Sequence, residues 1–321
     1  LKDCNIDKDS SLASALCGQF GNHLNPPSRT SFFLHACICN HYVQGGFYPQ
    51  GGSPALVRGF VQKIQENGKA RVFSHASFEG ASQGMFRTFD VLSTKTGEKI
   101  PFRAKKIFLC TSLANIKSLS PFLTEGNKKP SETLLFLFAK LKSCTKTSGT
   151  VWIHPQTDIG MDRQDELRTN SEFGTDCPMS FYVSVRPYSA IVMVTAKWKW
   201  LQNVRNSEQE RTSACSLSEQ KWRMFQQNLM LQALLESQEI ELENVENIDF
   251  ATPETVSKFI NSQKGAVYGM KSSVERFSNP AFAKTCFVQN GCEFLVSGQD
   301  FVTPGISGAF AAAEASVESF C

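Results

Sequence analysis

Apolar and polar positions follow two different periods along this chain, and the change of period marks its elements. The segments 134–141, 150–154, 180–186 and 190–197 are strand-sized and rich in β-branched and aromatic residues. Residues 181–195 read as a hairpin turning at 187–189. Helical spacing appears elsewhere. The apolar stretch 31–43 is expected to be helical and largely buried. Ser53 is a candidate N-cap with Pro54 at the first helical position, and Leu56, Phe60 and Ile64 follow at helical spacing until Asn67-Gly68. Residues 218–238 form the clearest amphipathic pattern, with Trp222, Phe225, Leu229, Leu231 and Leu235 mostly on one side. Thr252-Pro253 opens a further helix to about Ser262.

Between these lie shorter signals. Residues 5–24 suggest a short helix and turn, which Pro26-Pro27 prevents from continuing. Strands are expected at 70–78, 84–93 and 105–110, and the run 106–110 reads as buried on both faces. Pro, Gly and Lys in 120–131 place a crossing between domains there, and the polar segment 158–176 reads as a surface loop. The tryptophans Trp198, Trp200 and Trp222 read as core or groove aromatics.

The last pattern carries chemistry. A short apolar run (294–296) meets Gly298-Gln299-Asp300, and Thr303-Pro304-Gly305 then opens a helix of Gly and Ala. An acid after the strand can accept hydrogen bonds from a sugar or ribityl hydroxyl. The first N–H groups of that helix, at Ile306, Ser307 and Gly308, lack intrahelical partners, and the helix dipole favours negative charge beyond them. This suits the ribityl chain and pyrimidine end of a flavin. It is equally the form of an ordinary strand–turn–helix.

Composition narrows the classes. A chain of 321 residues, 41% hydrophobic and 20% charged, can bury a large core and is long enough for about two domains. A net charge of +3 with scattered Lys and Arg excludes a nucleic-acid partner from the expected ones. No run approaches the roughly 20 apolar residues of a membrane helix. The eleven cysteines are dispersed and read as mostly reduced thiols. His35, Cys37, Cys39 and His41 resemble a metal set, but only i, i+4 pairs meet on a helix, so no metal is expected. Gly45-Gly46 and Gly51-Gly52 fit tight turns or close approach to a flat ring; without a following Gly-Lys-Ser/Thr they are not a phosphate loop of the Walker type. A strand, Gly-x-Gly-x-x-Gly and helix for a pyrophosphate is missing from the sequence.

Five segments in order resemble one family. They are Asn40-His-Tyr-Val-Gln-Gly-Gly-Phe-Tyr-Pro-Gln-Gly-Gly-Ser53 with Pro26-Pro27-Ser28 upstream; Thr252-Pro-Glu-Thr255; Gly265-Ala-Val-Tyr-Gly-Met270; Glu275-Arg-Phe277; and Gly298-Gln-Asp-Phe-Val-Thr-Pro-Gly305. The sequence is similar to the retinol saturase, carotenoid isomerase and phytoene desaturase family of flavin-dependent oxidoreductases. The ends carry the likeness, and 140–240 only loosely. Cys110-Thr111-Ser112 departs from the small Ala-Gly step the family usually has there, and 70–90 fits its strand pattern poorly.

That resemblance implies an α/β protein with an α+β substrate domain. A glutathione-reductase-like FAD domain, lacking its N-terminal βαβ unit in this sequence, would interleave with a mixed-sheet substrate domain. Residues 1–48 and 121–285 would belong to the substrate domain, 49–120 and 286–321 to the FAD domain, and the dinucleotide motif would precede Leu1. Gly51, Gly52, Ser53, Gly298, Asp300, Thr303, Pro304, Gly305, Ile306 and Ser307 would contact FAD, with Asp300 on the ribityl chain. NAD or NADP is a further candidate electron source. An apolar polyene or isoprenoid would be the partner, with His41, Tyr42, Tyr48 and Tyr268 lining its pocket. Reduction of a double bond by hydride transfer is implied; carotenoid isomerisation or desaturation, and a non-catalytic or degenerate member of the fold, stay open. The resemblance points to the endoplasmic reticulum or another membrane-associated compartment with peripheral attachment, the plastid and cytoplasm being alternatives.

Overall fold

The computed structural model describes residues 7, 12, 24–43, 45–82, 87–116, 129–145, 148–154, 161–177, 179–209, 218–278, 286–289 and 291–318. Two helices come first: α1 (Phe32–His41) and α2 (Ser53–Glu66). The expected N-cap at Ser53 is corrected here: Gly52, at φ 78, turns the chain into α2, so Ser53 is the first helical residue and Pro54 the second. The expected burial of 31–43 does not hold. Its apolar residues surround α1 on every side, and only Leu34 is buried, while Phe32 is 82% exposed. Most of the helix expected at 5–24 lies outside the described residues.

Next come β1 (Ala76–Ala81), β2 (Thr88–Ser93) and β3 (Lys99–Arg103), an antiparallel meander in that order, followed by β4 (Lys106–Leu109) and the short α3 (Leu113–Ile116). β1 begins later than the pattern at 70–78 suggests, and β3 was not visible as a strand because Lys99, Pro101 and Arg103 interrupt its apolar residues. Most of the expected domain crossing, 117–128, lies outside the described residues.

The larger part of the molecule contains β5 (Thr133–Leu141), β6 (Gly149–Ile153), α4 (Met161–Asn170), β7 (Phe181–Arg186), β8 (Ser189–Ala196), α5 (Trp198–Gln209), α6 (Glu219–Gln238), β9 (Val245–Ala251) and α7 (Pro253–Ile260). Its five strands run antiparallel in the order β6-β7-β8-β5-β9. Alternation decides the two faces. Leu135, Leu137 and Ala139 of β5, Val183 and Val185 of β7, and Val192 and Val194 of β8 point into one core with Trp200, Val204, Trp222, Met230 and Leu234 of α5 and α6. Ser218 caps α6 by accepting from the Lys221 N–H. The buried stripe of α6 is Trp222, Gln226, Met230 and Leu234, not the side centred on Phe225, which is exposed. Gln226 enters this stripe because its Nε2 donates to the Gly174 carbonyl at 3.0 Å.

The expected loop at 158–176 contains α4. Its composition is polar, yet Arg168 and Asp165 are buried and paired at 2.9 Å, with Lys197 bridging Asp165 and Glu132. Burial alone would raise the Asp165 carboxyl; Lys197 and Arg168 outweigh it and hold it below its ordinary range. An ion-paired interior face has no hydrophobic period for sequence reading to detect.

The chain ends with α8 (Val274–Ser278), β10 (Cys286–Gln289), β11 (Cys292–Val296) and α9 (Gly305–Glu318). β11 pairs antiparallel with β10 and parallel with β4, giving a sheet ordered β10-β11-β4. Phe89, Leu109, Leu113, Ile116, Met270, Phe294 and Val296 form its core. Phe294 lies 5.5 Å edge-on from Phe89 and 4.8 Å stacked from Phe287. The expectation that 106–110 is buried on both faces is corrected here. β4 is the outer strand among the described residues, and Phe108 is 45% exposed. The described chain is thus a mixed α and β structure with three sheets, α+β in character. No helix among the described residues is long and apolar enough to cross a membrane.

Candidate functional site

The five-stranded sheet leaves its second face open to a site. Opposite the core face, register places Trp152, Tyr182, Met193 and Phe136 in one row across β6, β7, β8 and β5, with Leu134 against Thr195 in an adjacent row. Trp152 and Tyr182 meet edge-to-face at 4.5 Å. A cavity of about 110 Å³ opens here, lined by Leu134, Trp152, Ser180, Tyr182, Met193, Thr195 and Tyr268. A whole small-molecule ligand needs roughly 300–1,000 Å³. At this size the cavity has room for only part of such a molecule, and Phe136, Phe138 and Ile191 continue the apolar surface beyond it. Ser180 is engaged by His154, its Oγ 3.1 Å from Nδ1. Tyr182 meets Thr150 Oγ1 at 3.4 Å.

Tyr268 closes the cavity from a segment outside the sheet. Its backbone N–H donates to Ser131 Oγ at 3.1 Å. Burial, then the neighbouring Tyr42 and Tyr182, push its phenol above the ordinary tyrosine value. The two residues that follow belong to a second site. Gly269, at φ 61, lies so close to the Asp300 carboxylate that a Cβ there would overlap it. The Met270 N–H donates to Asp300 Oδ1 at 2.7 Å, and the Leu113 N–H to Oδ2 at 2.7 Å. Arg276 braces this clasp, donating to the Met270 carbonyl at 3.0 Å and to the Gln299 carbonyl at 2.7 Å. Burial pushes the Arg276 guanidinium below its ordinary value and Asp300 opposes that.

From the clasp the chain passes through Thr303 and Pro304 into α9. Gln299 Oε1 accepts the Gly305 N–H at 3.1 Å, whereas Ile306 and Ser307 in the first turn are exposed. At Gly305 a Cβ would meet nothing within 4 Å. This end of α9 fits a flat, electron-rich ring edge: it offers space at Gly305 and first-turn N–H groups without intrahelical partners. Asp300 is different. It is 2% exposed and both oxygens already accept backbone N–H groups, so a ribityl hydroxyl would have to share them.

The glycine-rich segment touches the five-stranded sheet, and the helix it opens touches α9. Arg186 of β7 sits over the Tyr48 ring at 4.4 Å. The Tyr48 hydroxyl lies beside Gly52, and Arg58 contacts the Gly51 carbonyl. Phe60 of α2 meets Phe310 of α9 at 5.7 Å. Tyr42 is half exposed and within electrostatic reach of Tyr268, while His41 is exposed and makes no hydrogen bond among the described residues. Of the residues singled out from sequence, Tyr42 lies within electrostatic reach of Tyr268 without lining the cavity, Gly298 to Ser307 form one turn and helix start, and Tyr48 joins Gly52 to the sheet. Trp152, Ser180, Tyr182, Met193 and His154 were missed. Alternation along 150–154 and 180–196 was their signal: positions that do not point into the core fall on the cavity face.

No family model matches the chain. It is 23% identical to the all-trans-retinol 13,14-reductase of Danio rerio over 354 residues, 96% of this chain and 55% of that protein. It is 22% identical to the Rattus norvegicus protein of the same name over 88% of the chain and 50% of the relative. With the Homo sapiens protein of that name identity is 35% over 65 residues, 20% of this chain and 11% of the relative. The chain spans about half the length of the relatives it matches along most of its length.

Proposed function

We propose that this chain forms the substrate cavity and one side of the flavin site of an oxidoreductase that reduces a double bond in an apolar polyene, all-trans-retinol being the first compound to try. One observation carries this reading. Tyr268 lines an apolar-walled cavity, while the next two residues lock onto Asp300 at the approach to α9. Substrate and cofactor regions therefore meet within three consecutive residues. The similarity to all-trans-retinol 13,14-reductases supports the reaction class.

In this reading Gly298, Thr303, Pro304, Gly305, Ile306 and Ser307 hold the flavin from the α9 side, and Gly51, Gly52 and Ser53 from the α2 side. Asp300 acts by fixing the backbone around Leu113, Gly269 and Met270. FAD, when bound, supplies hydride transfer chemistry, with NAD or NADP as a further source of electrons. The protein's own part is to orient the polyene end against Tyr268 and exclude water. We assign 49–120 and 286–321 to the FAD domain and 1–48 and 121–285 to the substrate domain. The outer edge of β4 and the exposed faces of α1 and α2 are then where the rest of the FAD domain packs. An apolar substrate of this kind dissolves in membranes, so we place the protein peripherally on one, the endoplasmic reticulum by resemblance.

Met193 is half-buried and faces the cavity from the centre of the sheet. Met193→Trp in the flavin-loaded protein should fill the cavity and lower polyene turnover at least 100-fold, with flavin content unchanged. Full turnover with the cavity filled would place the substrate elsewhere.

A further inference from the structure

Reducing a carbon–carbon double bond requires a proton as well as a hydride, and the cavity wall contains one acid positioned for it. Its hydroxyl-bearing residues are Ser180, Tyr182, Thr195 and Tyr268. Ser180 is engaged by His154 and Tyr182 by Thr150. Thr195 is an aliphatic alcohol, too weak an acid. Tyr268 lines the cavity, and no side-chain hydrogen bond engages its hydroxyl among the described residues. Its ring is fixed from both ends of its backbone: by Ser131 at its own N–H, and by Gly269 and Met270 against Asp300. Among the described residues no carboxylate, lysine or histidine lines the cavity directly.

Building on the function proposed above, we propose that Tyr268 is the proton donor to the double bond reduced in this cavity. A bound, reduced FAD would supply the hydride chemistry, two electrons and one hydrogen, to one carbon of the double bond. At the other carbon a C–H bond forms as the Tyr268 O–H bond breaks. The phenolate left behind regains its proton from water before the next turnover. A tyrosine phenol is protonated at neutral pH, and burial, Tyr42 and Tyr182 raise its pKa further, so Tyr268 enters each turnover with its proton in place.

The test is Tyr268→Phe in the flavin-loaded protein, which keeps the ring and removes the proton. With all-trans-retinol as substrate, kcat should fall about 100-fold or more, the range of a lost general acid, while KM stays within about threefold. Binding of the corresponding dihydro-polyene, read by quenching of tryptophan emission with Trp152 in the cavity wall, should be unchanged and so reports an intact site. In deuterated water the wild-type product should carry deuterium on a single face of the protonated carbon. Residual product from the variant should carry it on both faces, because water then protonates without direction. An active wild type with an equally fast variant, or with single-face labelling retained in the variant, overturns the assignment of Tyr268 alone. A wild type that reduces no polyene overturns the functional reading together with it.

Discussion

Asp300→Asn should lower the stability of the folded chain by about 2–4 kcal/mol, although it removes no atoms. Asp300 accepts two backbone N–H groups, from Leu113 and Met270, each at 2.7 Å and out of contact with water. Hydrogen bonds to a buried charge contribute roughly 1.5–3 kcal/mol each. An asparagine offers one oxygen acceptor and an NH₂ group, so one of the two N–H groups would face another donor. That orphaned donor adds its desolvation cost. The Arg276 guanidinium would also lose the carboxylate that offsets its burial. Chemical unfolding of wild type and variant measures the difference. A change under about 1 kcal/mol would show that the three segments hold together without the carboxylate. Flavin content should fall with stability, because the clasp sets the backbone on which α9 starts.

Gly308→Ala should be more damaging still. Gly308 is buried in the first turns of α9, and a Cβ there would overlap the carbonyl group of Thr303. Backbone cannot step aside as a flexible side chain can, so α9 and the 303–305 turn must separate. We expect a loss of about 4 kcal/mol or more, in the exceptional class for one methyl group. A second glycine supplies the control. Gly59 lies within α2 and a Cβ there meets nothing within 4 Å. Gly59→Ala should stabilise by about 0.5–1 kcal/mol through helix propensity. Opposite signs for the same substitution in two helices would confirm that close approach, not helix propensity, governs α9. A mild effect at Gly308 would contradict it.

The parts of the fold visible in the sequence were those with a hydrophobic period. The hairpin of β7 and β8 alternates over most of its length and was found with its turn, α2 and α6 were found from their spacing, and α7 from Thr252-Pro253 at its start. What escaped had no such period. α4 is held by Asp165, Arg168 and Lys197, so its interior face reads as polar. β9 is an edge strand in which Glu246, Asn247 and Asp249 interrupt the apolar residues, and it was passed over. α1 and β4 were read as buried because apolar residues dominate them, yet burial depends on what packs beside a segment, which composition does not state.

The site divides along the same line. Gly298-Gln299-Asp300 and the start of α9 were legible because a Gly-rich turn before a helix is a local feature. The pairing of Asp300 with Leu113 and Met270, 187 and 30 residues away, is not local. The cavity was illegible for the same reason, since Trp152, Tyr182, Met193 and Tyr268 meet only through sheet register and the Tyr268 loop.

The central claim is that this cavity presents a polyene double bond for reduction. Its most direct test is to hold the flavin-loaded protein under anaerobic reducing conditions with all-trans-retinol and weigh the product. The account predicts a dihydro product two hydrogens heavier than the substrate, formed only with the protein present and blocked by Met193→Trp. Recovery of retinol at unchanged mass, as starting material or as a geometric isomer alone, would contradict it.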